Sequence, residues 1–512
     1  MTNSSNVVLD GLSLKIGEVV SIARDFSKVE ISSSARERVV ESRRVIEGLI
    51  GSGKIYYGIN TGFGKLADTL VSGDDLEQLQ INLLRSHSVG LGPFLTEEEG
   101  RALMVLRLNS LLRGNSGVRY DVIEQLCSFL NTRIFPAIPS YGSLGASGDL
   151  APSAHLALCM IGEGNVFVAG ETVSTDKVLR ENGITALKLK AKEGLSIING
   201  TQLMTAIACI LVHDAAMLLT SMDIISAMSL EALQGSIVPF DPKIQSVRPH
   251  EGQKTVAEIV RKVLTDSSFV DSSERIQDPY SLRCIPQVHG AFREFLDFSK
   301  SVILTEINSV TDNPIVFPDS GELISGGNFH GQIVSIALDL ICVLLAEASV
   351  ISERRIDKLL SGFNPNLPIF LVNQPGLNSG LMVSQYSAAA LVARNRVLAR
   401  PASLDSASVS AGQEDHASMG VNAGLKALEV FENTLQVLAI EAINAAQALD
   451  LLDSKNKRKG SGTTLLYNEI RKLTAKVVED RSMSADIQRV ARALKSGVAR
   501  VDLDQTDGYR ES

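Results

Sequence analysis

The segment Gly142-Ser-Leu-Gly-Ala-Ser-Gly-Asp-Leu-Ala-Pro-Ser-Ala-His155 is the densest cluster of reactive and turn-forming residue types in the chain. At its centre one hydroxyl, Ser147, stands between Ala146 and Gly148. Common uses of such a segment are excluded by its spelling. A phosphate loop would end in Gly-Lys-Ser or Gly-Lys-Thr, and a dinucleotide loop would read G-x-G-x-x-G after a strand. A hydrolase nucleophile would sit in G-x-S-x-G, whereas Ser147 follows Gly145 and Ala146. Asp149 is a suitable cap for a helix starting near Leu150, Pro152 is tolerated in its first turn, and Ala151 to Ile161 continues as an apolar helical run. The Ala-Ser-Gly triplet therefore precedes a helix N-terminus, the positive end of a dipole. Locally, a plain glycine-rich turn accounts for the motif equally well.

Further motifs are spread along the chain: Tyr57-Gly-Ile-Asn-Thr-Gly-Phe-Gly64, Ile198-Asn-Gly-Thr-Gln202, Gln277-Asp-Pro-Tyr-Ser-Leu-Arg283, Glu306-Ile-Asn-Ser-Val-Thr-Asp-Asn-Pro314 and Gly327-Asn-Phe-His-Gly331. Together with residues 142–152, and in this order over nearly the whole chain, they resemble the motifs of the aromatic amino acid ammonia-lyases, which are carbon–nitrogen lyases. The resemblance implies that Ala146-Ser147-Gly148 cyclises into 4-methylidene-imidazol-5-one, with no metal and no dissociable cofactor. The residue types suit that chemistry. The Gly148 amide nitrogen attacks the Ala146 carbonyl, a fold-back that small residues permit. Loss of the Ser147 hydroxyl then leaves an electrophilic methylidene carbon.

By the same resemblance, Tyr57 is the base that removes the substrate β-proton. A tyrosine ordinarily titrates near ~10, so it needs cationic or dipolar help to serve near neutrality. Asn199 matches a position that orients substrate and cofactor, and Gln277 belongs to a further site motif. Arg283 would clamp the α-carboxylate bidentately, a role lysine fills poorly. Tyr280 lies three residues earlier, on the same face of a helical segment, and Phe329 would pack near the substrate. The resemblance also implies a homotetramer whose sites combine residues from several subunits.

Two places bear on the substrate. Ser86-His87, in Asn82-Leu-Leu-Arg-Ser-His-Ser88, falls at a selectivity position where phenylalanine-specific members resemble Phe-Leu and members acting on histidine or tyrosine carry a histidine. In Gly412-Gln-Glu-Asp-His-Ala-Ser-Met419, the Gln-Glu-Asp-His core resembles members acting on histidine, whereas the others resemble Asn-Gln-Asp-Val. An imidazole has two nitrogens, is cationic part of the time and pairs well with the Glu414 carboxylate. A phenyl ring would leave that carboxylate unpaired. L-histidine is the expected substrate, with ammonia and trans-urocanate as products, and His416 reads as a hydrogen-bonded structural residue. Ser153 departs from the family pattern, where many relatives carry an apolar residue. Still open are a tyrosine or phenylalanine lyase or an aminomutase using the same cofactor. A helical scaffold without activity would be expected to have lost Tyr57, Ser147 or Arg283. A fumarase-like lyase would show a serine- and methionine-rich loop and has no use for Ala-Ser-Gly.

Positioning such groups requires a rigid frame, and the hydrophobic pattern supplies one. The chain reads as mainly α. Residues 1–200 form a mixed helical and loop region that bears the cofactor turn, with helices over 96–112 and 120–130. Residues 201–512 form a long-helix bundle, packed with the first region as one lyase unit. Helices are expected over 331–360, 384–399, 422–452, and 464–496 apart from the stretch around Arg481. Apolar residues recur three and four apart, as at Leu425, Leu428, Phe431, Leu435, Leu438 and Ala442. Segment 333–350 is apolar around so much of its circumference that it needs neighbours on many sides, which fits helices pooled in an oligomer.

At 512 residues the chain exceeds one compact core, and 45% hydrophobic with 21% charged residues is an ordinary globular balance. A net charge of -9 disfavours nucleic acid as a partner. The most apolar stretches, 202–219 and 333–350, contain His213 and Asp214, and Asp339 and Glu347, which mark buried helices rather than membrane spans. Five cysteines form no C-x-x-C pair, and the four that sit in apolar or helix-like runs read as inert buried thiols, which fits a reducing compartment. The polar N-terminus lacks a signal-peptide core, so a cytoplasmic location is expected. No H-E-x-x-H motif points to a metal. Segment 455–462 reads as a solvated basic loop, and the tail from Leu503 as frayed.

Overall fold

The structure, a computed structural model, describes residues 6–50, 52, 54–452 and 457–498. The tail from Leu503, and Lys455 and Asn456 of the basic loop, lie outside the described residues. Eighteen α-helices and nine strands of two to four residues make up the described chain, in agreement with a mainly α reading. The strands pair into small sheets: Val7–Leu9 with Val29–Ile31 in parallel, and Leu91–Phe94 with Pro139–Tyr141 antiparallel. Phe135–Pro136, Asn165–Val168 and Glu171–Ser174 form a three-stranded sheet, and Ile315–Phe317 pairs with Glu322–Ile324.

Helix limits follow local chemistry. Thr96 starts the helix Glu97–Leu112 through a reciprocal cap: its Oγ1 accepts from the Glu99 amide at 3.2 Å, and the Glu99 carboxylate accepts from the Thr96 amide at 2.8 Å. Such a cap contributes about 1 kcal/mol. Every residue from Gly100 to Leu112 is buried, so the helix needs partners on all sides. Its Arg101 spends its donors on the carbonyl oxygens of Ile22, at 2.9 and 3.1 Å, and Leu130, at 3.1 Å.

Gln202–Ala232, Gln332–Leu360 and Gly420–Leu452 are long and apolar enough to cross a membrane by length and composition. Their most apolar windows are 78%, 67% and 78% buried inside the protein, which accounts for their apolar character.

The chain forms two compact units, interleaved along the sequence. The first comprises the chain up to His213, Ser299–Asp339 and Pro401–Leu425; the second comprises Asp214–Phe298, Leu340–Arg400 and the chain from Lys426. In the first, Ile46, Ile59, Leu76, Ala191 and Val316 form a buried cluster with Tyr56 packed against it, directly before Tyr57 in sequence. The second buries charges. Asp223 accepts from His289 Nδ1 at 2.7 Å and from Arg293, while Arg355 makes two bonds to Glu441, at 2.6 and 3.0 Å. Ser229 and Ser352 donate to the same Glu441 carboxylate at 2.7 and 2.6 Å. With four donors on it, the buried Glu441 carboxylate fixes one arrangement of the helices that carry them, and removing one partner of such a buried pair typically costs about 3–5 kcal/mol.

Candidate active site

The Ala146-Ser147-Gly148 turn is clasped from two sides within the first unit. Gly148 has φ +74°, and a Cβ there would run into the Gly200 carbonyl, so only glycine fits. The Asp149 amide donates to that carbonyl at 2.7 Å. Opposite, Met419 N donates to Leu144 O at 2.8 Å and Ser418 Oγ to Gly145 O at 3.1 Å; a Cβ on Gly145 would strike Ser418 Oγ. Ala146 and Gly148 are buried and Ser147 is half-buried.

Asp149 differs from expectation. It stands at the N-cap position of Leu150–Met160, but its φ of -96° and ψ of 59° turn the side chain away, and it does not cap that helix. Its Oδ2 accepts instead from Leu203 N and Met204 N, both at 2.9 Å, in the first turn of Gln202–Ala232. Its Oδ1 accepts from Ser143 Oγ at 2.9 Å. Asp149 thus ties the triplet to a helix that begins more than fifty residues later in sequence.

These residues fit the cyclised cofactor. Among the described residues neither the Gly148 amide nor the Ala146 carbonyl engages in a hydrogen bond, so the two groups that must join are uncommitted. Asn199 Nδ2 donates to the Ser147 carbonyl oxygen at 3.1 Å, the atom that becomes the ring carbonyl. A donor placed there in a buried setting stabilises negative charge as it develops.

Tyr57 opens a turn locked by Asn60, whose Oδ1 accepts from Tyr56 N and whose Nδ2 donates to Lys54 O, both at 2.8 Å. Burial pushes the Tyr57 hydroxyl above its usual 10; a hydrogen bond from the Gly64 amide opposes this, and the Glu414 carboxylate adds to it. The dipolar help expected for Tyr57 is therefore that one amide, while the charge facing it has the unhelpful sign. Gly64 carries φ +54°, and a Cβ on it would lie 2.8 Å from Ser410 Oγ and 3.7 Å from Glu414 Oε1, which places the Glu414 loop over the Tyr57 turn.

His87 closes the helix Leu76–His87. Its Nδ1 lies 2.9 Å from Leu83 O. A carbonyl can only accept, so Nδ1 carries the proton and Nε2 keeps its lone pair. Burial lowers the His87 pKa from 6.5, opposed by the Leu83 bond and by Glu414. Glu414 thus acts on both Tyr57 and His87, and the three share one space. His416 is structural: its ring stacks on His330 at 5.5 Å, Ser406 Oγ lies 3.2 Å from its Nδ1, and His330 Nε2 donates to its carbonyl at 3.2 Å. That stack staples the Glu414 loop to the exposed turn bearing Phe329.

Gln277, Tyr280 and Arg283 belong to the second unit. Asp278 anchors them by accepting from Ser236 N at 2.6 Å and from Arg275 at 2.9 and 3.1 Å. The Arg283 guanidinium lies over the Tyr280 ring at 4.7 Å, on the one helical turn Tyr280–Arg283, as their spacing predicts. Tyr280 is 70% exposed, and Arg283 Nε is buried without a partner. Asp149, Gly64 and His330 were missed as contributors because their partners are remote in sequence; the only local hint was that each sits inside or beside a motif.

The aromatic amino acid lyase family model matches residues 14–472. The chain belongs to that family. It is 48% identical over 493 residues to a histidine ammonia-lyase of Caldanaerobacter subterraneus, covering 96% of this chain and 97% of the relative. It is 46% identical over 491 residues to the histidine ammonia-lyase of Bacillus subtilis, covering 96% of each. Among solved structures, tyrosine aminomutase from Streptomyces globisporus superposes with a TM-score of 0.94 at 36% identity, over 99% of this chain and 100% of that one. Histidine ammonia-lyase from Trypanosoma cruzi superposes with 0.91 at 39% identity, over 98% and 95%. The fold is thus shared with proteins named for elimination and for amino-group migration.

Proposed function

We propose that this lyase eliminates ammonia from L-histidine to give trans-urocanate, using a methylidene-imidazolone formed from Ala146-Ser147-Gly148. The observation that carries the reading is the pairing of His87 and Glu414 beside Tyr57. A neutral His87 with a bare Nε2 and a carboxylate on Glu414 offer two acceptors, which match the two N–H donors of a substrate ring in its imidazolium form. A phenyl or phenol ring would leave at least one of them unsatisfied.

Once formed, the methylidene-imidazolone supplies an electrophilic carbon that draws electron density from the substrate's amino group or ring. The chain's own residues do the rest. Asn199 donates to the Ser147 oxygen and holds the triplet. Arg283, whose guanidinium lies over the Tyr280 ring, pairs with the α-carboxylate through its planar fork. Tyr57, as phenolate, takes the β-proton; the Cβ–H and Cα–N bonds break, the Cα=Cβ bond forms, and ammonia departs. Because Tyr57 titrates above its ordinary value, the competent form grows toward alkaline pH.

The active form is a homotetramer in the cytoplasm. Rows of exposed apolar residues, Ile333, Ile336 and Val343 on one helix and Val383, Tyr386 and Val397 on another, support association. Cysteines that form no disulfide among the described residues fit a reducing compartment. Intact mass tests the cofactor: a deficit of two waters against the sequence, absent in Ser147→Ala, is expected. Full sequence mass in an enzyme that turns over histidine overturns it.

A further inference from the structure

We propose that Arg107 is a positioning residue for ring closure of the triplet, acting by locking Asn199 in the pose that donates to the Ser147 carbonyl oxygen. This rests on the cofactor reading above. Asn199 ends the six-residue helix Glu193–Ile198, where the chain turns extended with ψ 127°. The last carbonyls of such a helix lack partners within it. Arg107 Nη1 supplies one donor group for two of them, reaching Asn199 O at 2.6 Å and Ser196 O at 3.2 Å.

The other end of that helix is held separately. Arg119 Nε binds the Glu193 carboxylate at 2.8 Å, and Lys192 Nζ binds Asp312 and the Ser116 carbonyl, each at 2.9 Å. Among the described residues, Arg107 is the one side chain that bonds the Asn199 carbonyl. Asn199 is 4% exposed and its Nδ2 is the sole side-chain donor on the Ser147 oxygen among the described residues. Arg107 itself is 1% exposed, and its Nε and Nη2 have no partner. A guanidinium buried and half-satisfied in this way is a poor source of stability, since a packed apolar side chain often does as well. Burial lowers its pKa to about 10, opposed by Asp312 and Asp149, so it stays cationic at neutral pH. The placement makes sense as a fix on geometry, where an error near 1 Å costs about 100-fold in rate.

The test follows the fraction of purified chains that have lost two waters, by intact mass over time, in wild type, Arg107→Met, Asn199→Ala and the double variant, with thermal melting as the control for folding. The expected result is folded Arg107→Met that closes about 100-fold more slowly, and a double variant no slower than Asn199→Ala, since both act through one contact. Should Arg107→Met fail to fold, Arg107→Gln, which keeps a neutral donor, enters the same cycle. Closure at the wild-type rate in a folded Arg107 variant, or slowing that multiplies in the double variant, overturns the proposal. A wild type that never loses two waters overturns the cofactor reading instead.

Discussion

Replacing Asp149 with asparagine should change how stability responds to pH, by an amount that follows from its burial. The Asp149 carboxyl is inaccessible, and burial raises its pKa from 3.8 to about 6, against the opposing pull of the Met204 amide, the Ser143 hydroxyl, the Leu203 amide and Arg107. The folded state therefore binds this proton more tightly than the unfolded chain does. The contribution is fully present below 3.8 and is lost as pH rises through about 6. The difference between those two values corresponds to about 3 kcal/mol. Asparagine keeps an oxygen for the Leu203 and Met204 amides, can turn its NH₂ toward Ser143 Oγ, and does not titrate. Urea unfolding of both proteins at one protein concentration, from about pH 4 to about pH 7, isolates the effect. Other buried carboxyls, such as Glu231 and Glu306, are raised as well but cancel in the difference. Wild type should lose about 2 kcal/mol relative to Asp149→Asn across that range, since the unfolded carboxyl is already part-ionised at its lower end. A difference that stays flat with pH, or moves the other way, would refute the reasoning.

Ser147→Ala should melt like wild type yet show no turnover; retained activity would sink the assignment of the triplet. Tyr57→Phe should lose about 10²–10⁴-fold in kcat, the usual span for a general base, with little change in KM, so an unchanged kcat removes Tyr57 from proton transfer. Wild-type kcat should climb from neutrality toward alkaline pH because Tyr57 is raised, and a profile level over that range contradicts this. Glu414→Gln should injure histidine turnover more than any residual tyrosine turnover, and equal loss on both speaks against Glu414 as the imidazole partner.

Helix positions were legible because their signals are local. The helical pattern over 96–112 and the three-and-four spacing near Leu425 place helices to within a residue or two of Glu97–Leu112 and Gly420–Leu452. Strands of two to four residues carry too few alternations to show a period. The motif order marked the triplet, Tyr57, His87, Asn199 and Glu414, but not the forces on them. The local capping rule assigned Asp149 to the helix beside it, whereas tertiary contacts gave its carboxylate to Leu203 and Met204. That Glu414 faces Tyr57 across Gly64 joins segments some 350 residues apart, which no local rule reaches. Arg107 lies in a helix buried on all sides, so its charge reads in sequence as an ordinary solvent-facing position.

The central claim is tested most directly by incubating the purified protein separately with L-histidine, L-tyrosine and L-phenylalanine and following ultraviolet absorbance of the conjugated acid product. The chain contains no tryptophan, which keeps the protein background low. Ammonia and urocanate should form from histidine, with no product from tyrosine or phenylalanine. Product from tyrosine or phenylalanine but not histidine would contradict the pairing of His87 and Glu414 with an imidazole, and no product from any of the three would contradict the elimination itself.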